Sequence, residues 1–246
     1  MELKEPAQSS ELHLKADEIR QEVFRVACQN RAGHIAPSLS CVDILVALYY
    51  SVMRPDDYFI LSKAHGGYGY YAILADLGLL PRERWENFDL PGCVERMPEY
   101  GIVAGCGALG HGLPMGVGVA YGLKLNASQG HVWCLMGDGE CQEGTTWEAL
   151  NFAAHYSLPM TAIIDWNGLQ AMDMTDNVIG LRMYELPHYT AICDGHNMDS
   201  LIEHLEEKPL ILMAKTVKGY GMRCAENVPK YHYRLPGCAG LSQRDH

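Results

Sequence analysis

The sequence predicts an α/β protein built on a largely parallel sheet with helices on both faces. Two observations carry this. Short apolar runs without polar alternation recur between stretches of helical period, and strands apolar on both faces belong to a sheet covered on both sides. The most distinctive polar turn, Gly137-Asp138-Gly139, directly follows one of these runs, where such folds place their ligands. The chain has 246 residues, 48% of them hydrophobic and 20% charged, enough for a substantial core and too apolar for a disordered chain. No linker, repeat or low-complexity tract divides it, so residues 1–246 are expected to form a single domain, with about 218–246 an extended carboxyl-terminal segment.

The elements follow in order. Leu12, Ala16, Ile19, Val23 and Val26 recur at helical spacing within residues 11–30. Ser40-Cys41-Val42-Asp43 reads as a capping-box variant opening a second helix through Met53. Tyr58 to Leu61 is a short strand, followed by a loop carrying His65 and a helix ending near Gly78. Leu113 to Leu125, with Gly116, Gly118 and Gly122, reads as a tightly packed helix whose small residues permit close approach, at about 1 kcal/mol of propensity per glycine. Residues 131–136 form a buried strand, 143–156 a helix, 159–165 a second buried strand and 210–216 a third.

The formal net charge of −11, without a Lys/Arg run, excludes the electrostatic footprint of a nucleic-acid or anionic-membrane binder. The first residues lack the basic and apolar regions of a signal peptide, and no apolar stretch approaches the ~20 residues of a membrane span. The 9 cysteines contain no CxxC pair. They read as reduced thiols, mostly small core residues, in a cytoplasmic protein without a zinc site.

Gly137-Asp138-Gly139 is followed by Gln142, where a dinucleotide fingerprint needs a third glycine. A carboxylate between the two glycines would repel a pyrophosphate unless a divalent cation stood between them, and Mg²⁺ suits oxygen ligands shared with phosphates. The next strand ends in Asp165-Trp166-Asn167-Gly168-Leu169. Adjacent parallel strands would set the Asp138 and Asn167 oxygens side by side, with a main-chain carbonyl just beyond. That is the outline of a Mg²⁺-diphosphate site. Either turn alone is ordinary; the pair at βαβ spacing is the signal.

Gly137-Asp-Gly-x-x-x-Glu-Gly144, Trp147-Glu148-Ala149 and Asp165-x-Asn167-Gly168 together resemble the thiamine-diphosphate signature of transketolases. Ala32-Gly33-His34, Ser62-Lys63-Ala64-His65-Gly66, Gly107 to Gly112, Asp194-Gly195-His196, Lys215-Thr216-x-x-Gly219 and Glu226 to His232 follow in family order. The resemblance covers only the first third of a full-length member, the part that binds diphosphate and metal. It implies metal ligation by Asp138, Asn167 and the Leu169 carbonyl, and diphosphate contacts from His65, Gly139 and His232. It also implies packing of Gly107, Ala108 and Leu109 against the cofactor. Glu143 would lie at a subunit interface near the carboxylate that activates the cofactor's pyrimidine, and His34 and His232 would face a bound sugar. Imidazoles near neutral pH suit the proton transfers of such a reaction. The implied activity is transfer of a two-carbon ketol unit from a ketose to an aldehyde. It requires a separate carboxyl-terminal subunit that supplies the activating glutamate, in an α2β2 assembly.

The sequence departs from the family at two places. Cys93 stands where a sugar-contacting histidine is usual, and Val103 where an interface glutamate is usual. A thiol is a poor hydrogen-bond donor, so an altered donor or acceptor stays open beside the usual sugar phosphates. Also open are a pyruvate-type donor, transfer to a carrier in a specialised biosynthesis, and a non-catalytic binding subunit. His13, His155, His188 and His204 read as ordinary surface or core histidines, and His111 stands where the family has glutamine.

Overall fold

A computed structural model describes residues 8–31, 33–179 and 190–234. Five strands form one sheet: β1 (Tyr58–Leu61), β2 (Val132–Gly137), β3 (Met160–Trp166), β4 (Thr190–Asp194) and β5 (Ile211–Lys215). Their order is β1-β2-β3-β5-β4, and all four pairings are parallel. The central strands are buried on both faces, which explains their unbroken apolar runs. The strand over 190–194 has no counterpart among the sequence expectations. It is a partly exposed edge strand, and its mixed Thr-Ala-Ile-Cys-Asp run carries little signal.

The helices are α1 (Ser9–Gln29), α2 (Ile35–Leu39), α3 (Val42–Ala47), α4 (Gly67–Asp76), α5 (Arg82–Glu86), α6 (Gly112–Leu125), α7 (Gly144–His155), α8 (Thr175–Val178) and α9 (Met198–Glu206). Helix α6 lies against β1, β2 and β3, with α7 packed on it, whereas α9 packs on β4, β5, α1 and α3. The connection from β4 back to β5 reverses the direction taken from β1 to β3. Right-handed crossovers therefore put α9 on the opposite face from α6 and α7.

Two local expectations change. No capping box opens the helix after Ser40, because both side chains of that motif have tertiary partners. Ser40 Oγ donates to Asp165, and Asp43 pairs with Arg20 and His196. The helix is also shorter, giving way after Ala47 to a π turn over Leu48–Val52. In α6, close approach is confined to Gly112, where a Cβ would fall 2.4 Å from Ser62 Cβ. Gly116 makes ordinary contact, and among the described residues nothing lies within 4 Å of a Cβ on Gly118 or Gly122.

Of the free cysteines, Cys41, Cys106, Cys134, Cys141 and Cys193 are buried. Cys224 is disulfide-bonded, so the reading of every cysteine as a reduced thiol fails there. It lies exposed on a turn, where a thiol can meet another, unlike those enclosed in the core. The described part of the expected carboxyl-terminal segment, 218–234, is a run of successive turns ending in a 3-10 turn, Pro229–His232. Residues 235–246 and His188 lie outside the described residues. Among the described residues, no helix is long and apolar enough to cross a membrane.

Candidate active site

Four neighbouring strands deliver their carboxyl ends to one cleft. After β1 come Lys63 and His65, after β2 Asp138 and Gly139, after β3 Asn167 and Leu169, and after β5 Lys218. His232 of the terminal 3-10 turn closes one side and Leu109 another. Register explains the pairing at the centre. Gly137 sits opposite Asp165, so the chains beyond them leave the sheet side by side.

Asp138 is buried, and its carboxylate accepts from the Gly139 N–H at 2.8 Å, the Gly168 N–H at 2.6 Å and Thr175 Oγ1 at 3.3 Å. Burial, and then the nearby Asp165 charge, push its pKa up to about 6 despite those donors. Among the described residues no cationic side chain pairs with it, so a divalent ion placed here would relieve a real electrostatic cost. The donor set fits such an ion: a carboxylate, the Asn167 amide and the Leu169 carbonyl are all hard oxygens. Among the described residues no three His, Cys, Asp or Glu side chains are arranged so that they could hold a metal ion by themselves. A cation held here would therefore take its remaining ligands from phosphate and water, the habit of Mg²⁺.

The neighbouring acid is committed elsewhere. Asp165 is fully buried and pairs with Lys63, while Ser40 and Thr216 donate to it. Burial would raise its pKa, but the Lys63 ammonium and these donors hold it below the usual carboxylate range. Lys63 also donates to the Pro37 carbonyl at 3.0 Å. A third buried acid, Glu140, ties the cleft's rims together by accepting from Ser62 Oγ, the Gly110 N–H at 3.1 Å and the Gly137 N–H at 2.8 Å. Burial outweighs those donors and raises its pKa. Gly110 needs its lack of a side chain, since its φ is +75° and a Cβ would fall 2.8 Å from Glu143 Cβ.

Three of the candidate histidines come together. Ring centroids are 5.9 Å apart for His34 and His65, 5.6 Å for His34 and His232, and 5.0 Å for His65 and His232. Burial lowers all three pKa values, aided by Lys218 at His34, chiefly by Lys63 at His65 and by Lys218 at His232, where the value falls to about 3. All three rings are therefore neutral near pH 7. His34 holds a left-handed backbone conformation at φ 58°, supported by its N–H donating to the Tyr233 carbonyl at 3.2 Å. His65 is reached through the 3-10 turn Ala64–Gly66 that follows β1.

Not every candidate reaches the cleft. Gly107 and Ala108 are exposed, and of that turn only Leu109 lines it. Glu143 caps α7 behind Gly110, half-buried and outside the cleft lining. Cys93 is exposed, on the loop beside Tyr68. Lys218 was not legible as a site residue. It is buried, and its ammonium donates to the Leu169 carbonyl at 2.9 Å and to His232 Nδ1 at 2.8 Å. Burial lowers its pKa to about 8. Its signal was a lysine within the Lys215-Thr216-x-x-Gly219 motif, adjacent to the residues that defined it.

The chain that builds this cleft of buried acids, neutral imidazoles and two ammonium groups has relatives among known proteins. The family model described as 1-deoxy-D-xylulose-5-phosphate synthase matches residues 2–186. One of the separate subunits of the apulose-4-phosphate transketolase from Actinobacillus succinogenes is 34% identical, over 92% of this chain and 91% of that one. A 6-deoxy-6-sulfo-D-fructose transketolase subunit from Clostridium sp. is 30% identical over 89% of each. The transketolase structure from Campylobacter jejuni superposes with a TM-score of 0.81 at 24% identity, over 91% of this chain and 40% of that one. That from Leishmania mexicana gives 0.80 at 22%, over 94% and 39%. The chain thus spans about 40% of these longer transketolases, while it matches the apulose-4-phosphate relative nearly end to end. On that match the chain belongs to the transketolase family.

Proposed function

We propose that this chain is the cofactor-binding half of a split transketolase, which moves a two-carbon ketol unit from a ketose to an aldehyde with thiamine diphosphate and a divalent cation. The observation that carries the reading is the buried Asp138 carboxylate, unpaired with any ammonium or guanidinium among the described residues, beside Asn167 and the Leu169 carbonyl and facing neutral imidazoles. Asp138, Asn167 and the Leu169 carbonyl would hold Mg²⁺. His65, Gly139, His232 and Lys218 would receive the diphosphate, and Leu109, with Gly107 and Ala108, would flank the cofactor. When bound, thiamine diphosphate supplies a carbon acid that adds to a carbonyl and stores the electron pair of the broken C–C bond.

The chain's own residues then have definite tasks. His34, neutral at pH 7, can take a proton from a sugar hydroxyl and return it, while His232 can offer its Nε2–H to a sugar oxygen. The ammonium of Lys218 donates to His232 Nδ1, which leaves that ring's proton on Nε2. Glu143, the residue just before α7 and outside the cleft lining, would face a partner subunit. That partner would supply the carboxylate that activates the cofactor's pyrimidine, and two copies of each chain would complete the enzyme.

Calorimetric titration of thiamine diphosphate with Mg²⁺, into the chain alone and mixed with a candidate carboxyl-terminal subunit, tests this. Binding that requires the metal, tightens with the partner and is lost in Asp138→Asn supports the reading; no binding in either state removes it. The family model's synthase name supports a second reading, a donor other than a ketose phosphate. Ketose against pyruvate as donor separates the two, and an unchanged preference in Cys93→His would remove Cys93 from the question.

A further inference from the structure

Asp194-Gly195-His196 lies outside the cleft, yet His196 is bonded to the loop that enters it. The Val217 N–H can only donate, and it does so to His196 Nε2 at 2.8 Å. The ring's single proton is therefore on Nδ1, which lies 2.7 Å from Asp43 Oδ2 and donates to it. Asp43 is buried and also pairs with Arg20. Burial alone would raise the Asp43 pKa, but Arg20 and His196 hold it below the usual carboxylate range. Tyr220 stacks flat on the imidazole, with centroids 3.6 Å apart and planes 11° from parallel. Two hydrogen bonds thus fix the ring in its plane, and an aromatic face fixes it from the side.

The loop after β5 is pinned at three backbone N–H groups. Thr216 donates to the Trp166 carbonyl, Val217 to His196, and Gly219 to the Ala36 carbonyl. Between the last two, Lys218 turns its ammonium into the cleft, onto the Leu169 carbonyl and His232. A lysine side chain is long and flexible, and burial works against keeping it there, so its backbone has to be held. We propose that His196, oriented by Asp43, is a positioning residue that holds Val217 so that Lys218 reaches the cofactor cleft. This rests on the reading of the cleft as a diphosphate site.

The test uses the full chain with its partner subunit. His196→Phe keeps a ring against Tyr220 and deletes both nitrogens; His196→Gln restores an acceptor. The expected result is a loss of thiamine diphosphate affinity of about 10-fold in His196→Phe, with at least half of the logarithmic loss recovered in His196→Gln. On a Lys218→Met background, His196→Phe should cost less than about 2-fold further. Equal losses on both backgrounds, or no loss, overturn the proposal. The amine of Lys218 should also react with acetic anhydride, followed by mass spectrometry without cofactor, at least 5-fold faster in His196→Phe than in wild type. An unchanged rate overturns the proposal as well. If the wild-type chain binds no thiamine diphosphate, the cleft reading fails, and the Lys218 acetylation rate still decides the role of His196.

Discussion

The two ends of the sheet treat buried polar groups in opposite ways. At the amino end, His131, Thr161, Asp57 and Trp133 pair off. Thr161 Oγ1 donates to the Pro209 carbonyl at 2.7 Å and so accepts from His131 Nε2 at 3.0 Å. Asp57 accepts from the His131 N–H and from Trp133 Nε1. At the carboxyl end, Asp138 has only uncharged donors in contact among the described residues, and three imidazoles crowd together near two ammonium groups. Folding alone would favour the first arrangement, because buried charge without a partner is costly. An excess of polar groups over internal partners marks the end that awaits a ligand, and the lone buried His131 marks a satisfied core.

Four outcomes would sharpen or break that contrast. The largest concerns Lys63, the carboxyl-end ammonium paired directly with an acid. Lys63→Met strands the buried Asp165 charge and should cost about 3–5 kcal/mol in urea denaturation; a loss below about 1 kcal/mol would mean the pair is not structural. Next, Asp138→Asn should weaken Mg²⁺-dependent thiamine diphosphate binding by about 100-fold or more, with a smaller effect on stability than Lys63→Met. Comparable effects of the two on stability would erase the distinction between a ligand-directed acid and a folded-in one.

The amino end should show itself through pH. Burial, and then Lys208, lower the His131 pKa from 6.5 to about 4, so the folded state favours the neutral ring. The stability this contributes is complete above pH 6.5 and is lost as the pH falls toward 4. Between about pH 7 and 5 it amounts to about 1–2 kcal/mol, which His131→Gln should remove from the stability–pH curve; an unaltered curve would show that His131 does not titrate as placed. The smallest effect lies on α6. With nothing within 4 Å of its missing Cβ among the described residues, Gly118→Ala should stabilise the isolated chain by about 0.5–1 kcal/mol. If it also weakens binding of the partner subunit, the open space on α6 belongs to an interface.

Much of this protein is legible in its residues. Continuous apolar runs specify β1, β2, β3 and β5, because strands covered on both faces have no polar positions to fill. That Asp138 and Asn167 line one cleft follows from two turns at βαβ spacing, since adjacent parallel strands end side by side. The edge strand Thr190–Asp194 was not legible, because half-exposed strands carry mixed composition. Which acid would meet a ligand and which was already neutralised depended on contacts between distant segments. Asp138 between its two glycines stands out in sequence, but only packing brings Lys63 to Asp165 and leaves Asp138 with uncharged donors among the described residues. The Ser40 and Asp43 side chains illustrate the same limit, as local caps in sequence and long-range anchors in the fold. Periodicity and turn chemistry act over a few residues and can be read there. Charge partnership and burial are properties of the assembled core, and only the tertiary structure decides them.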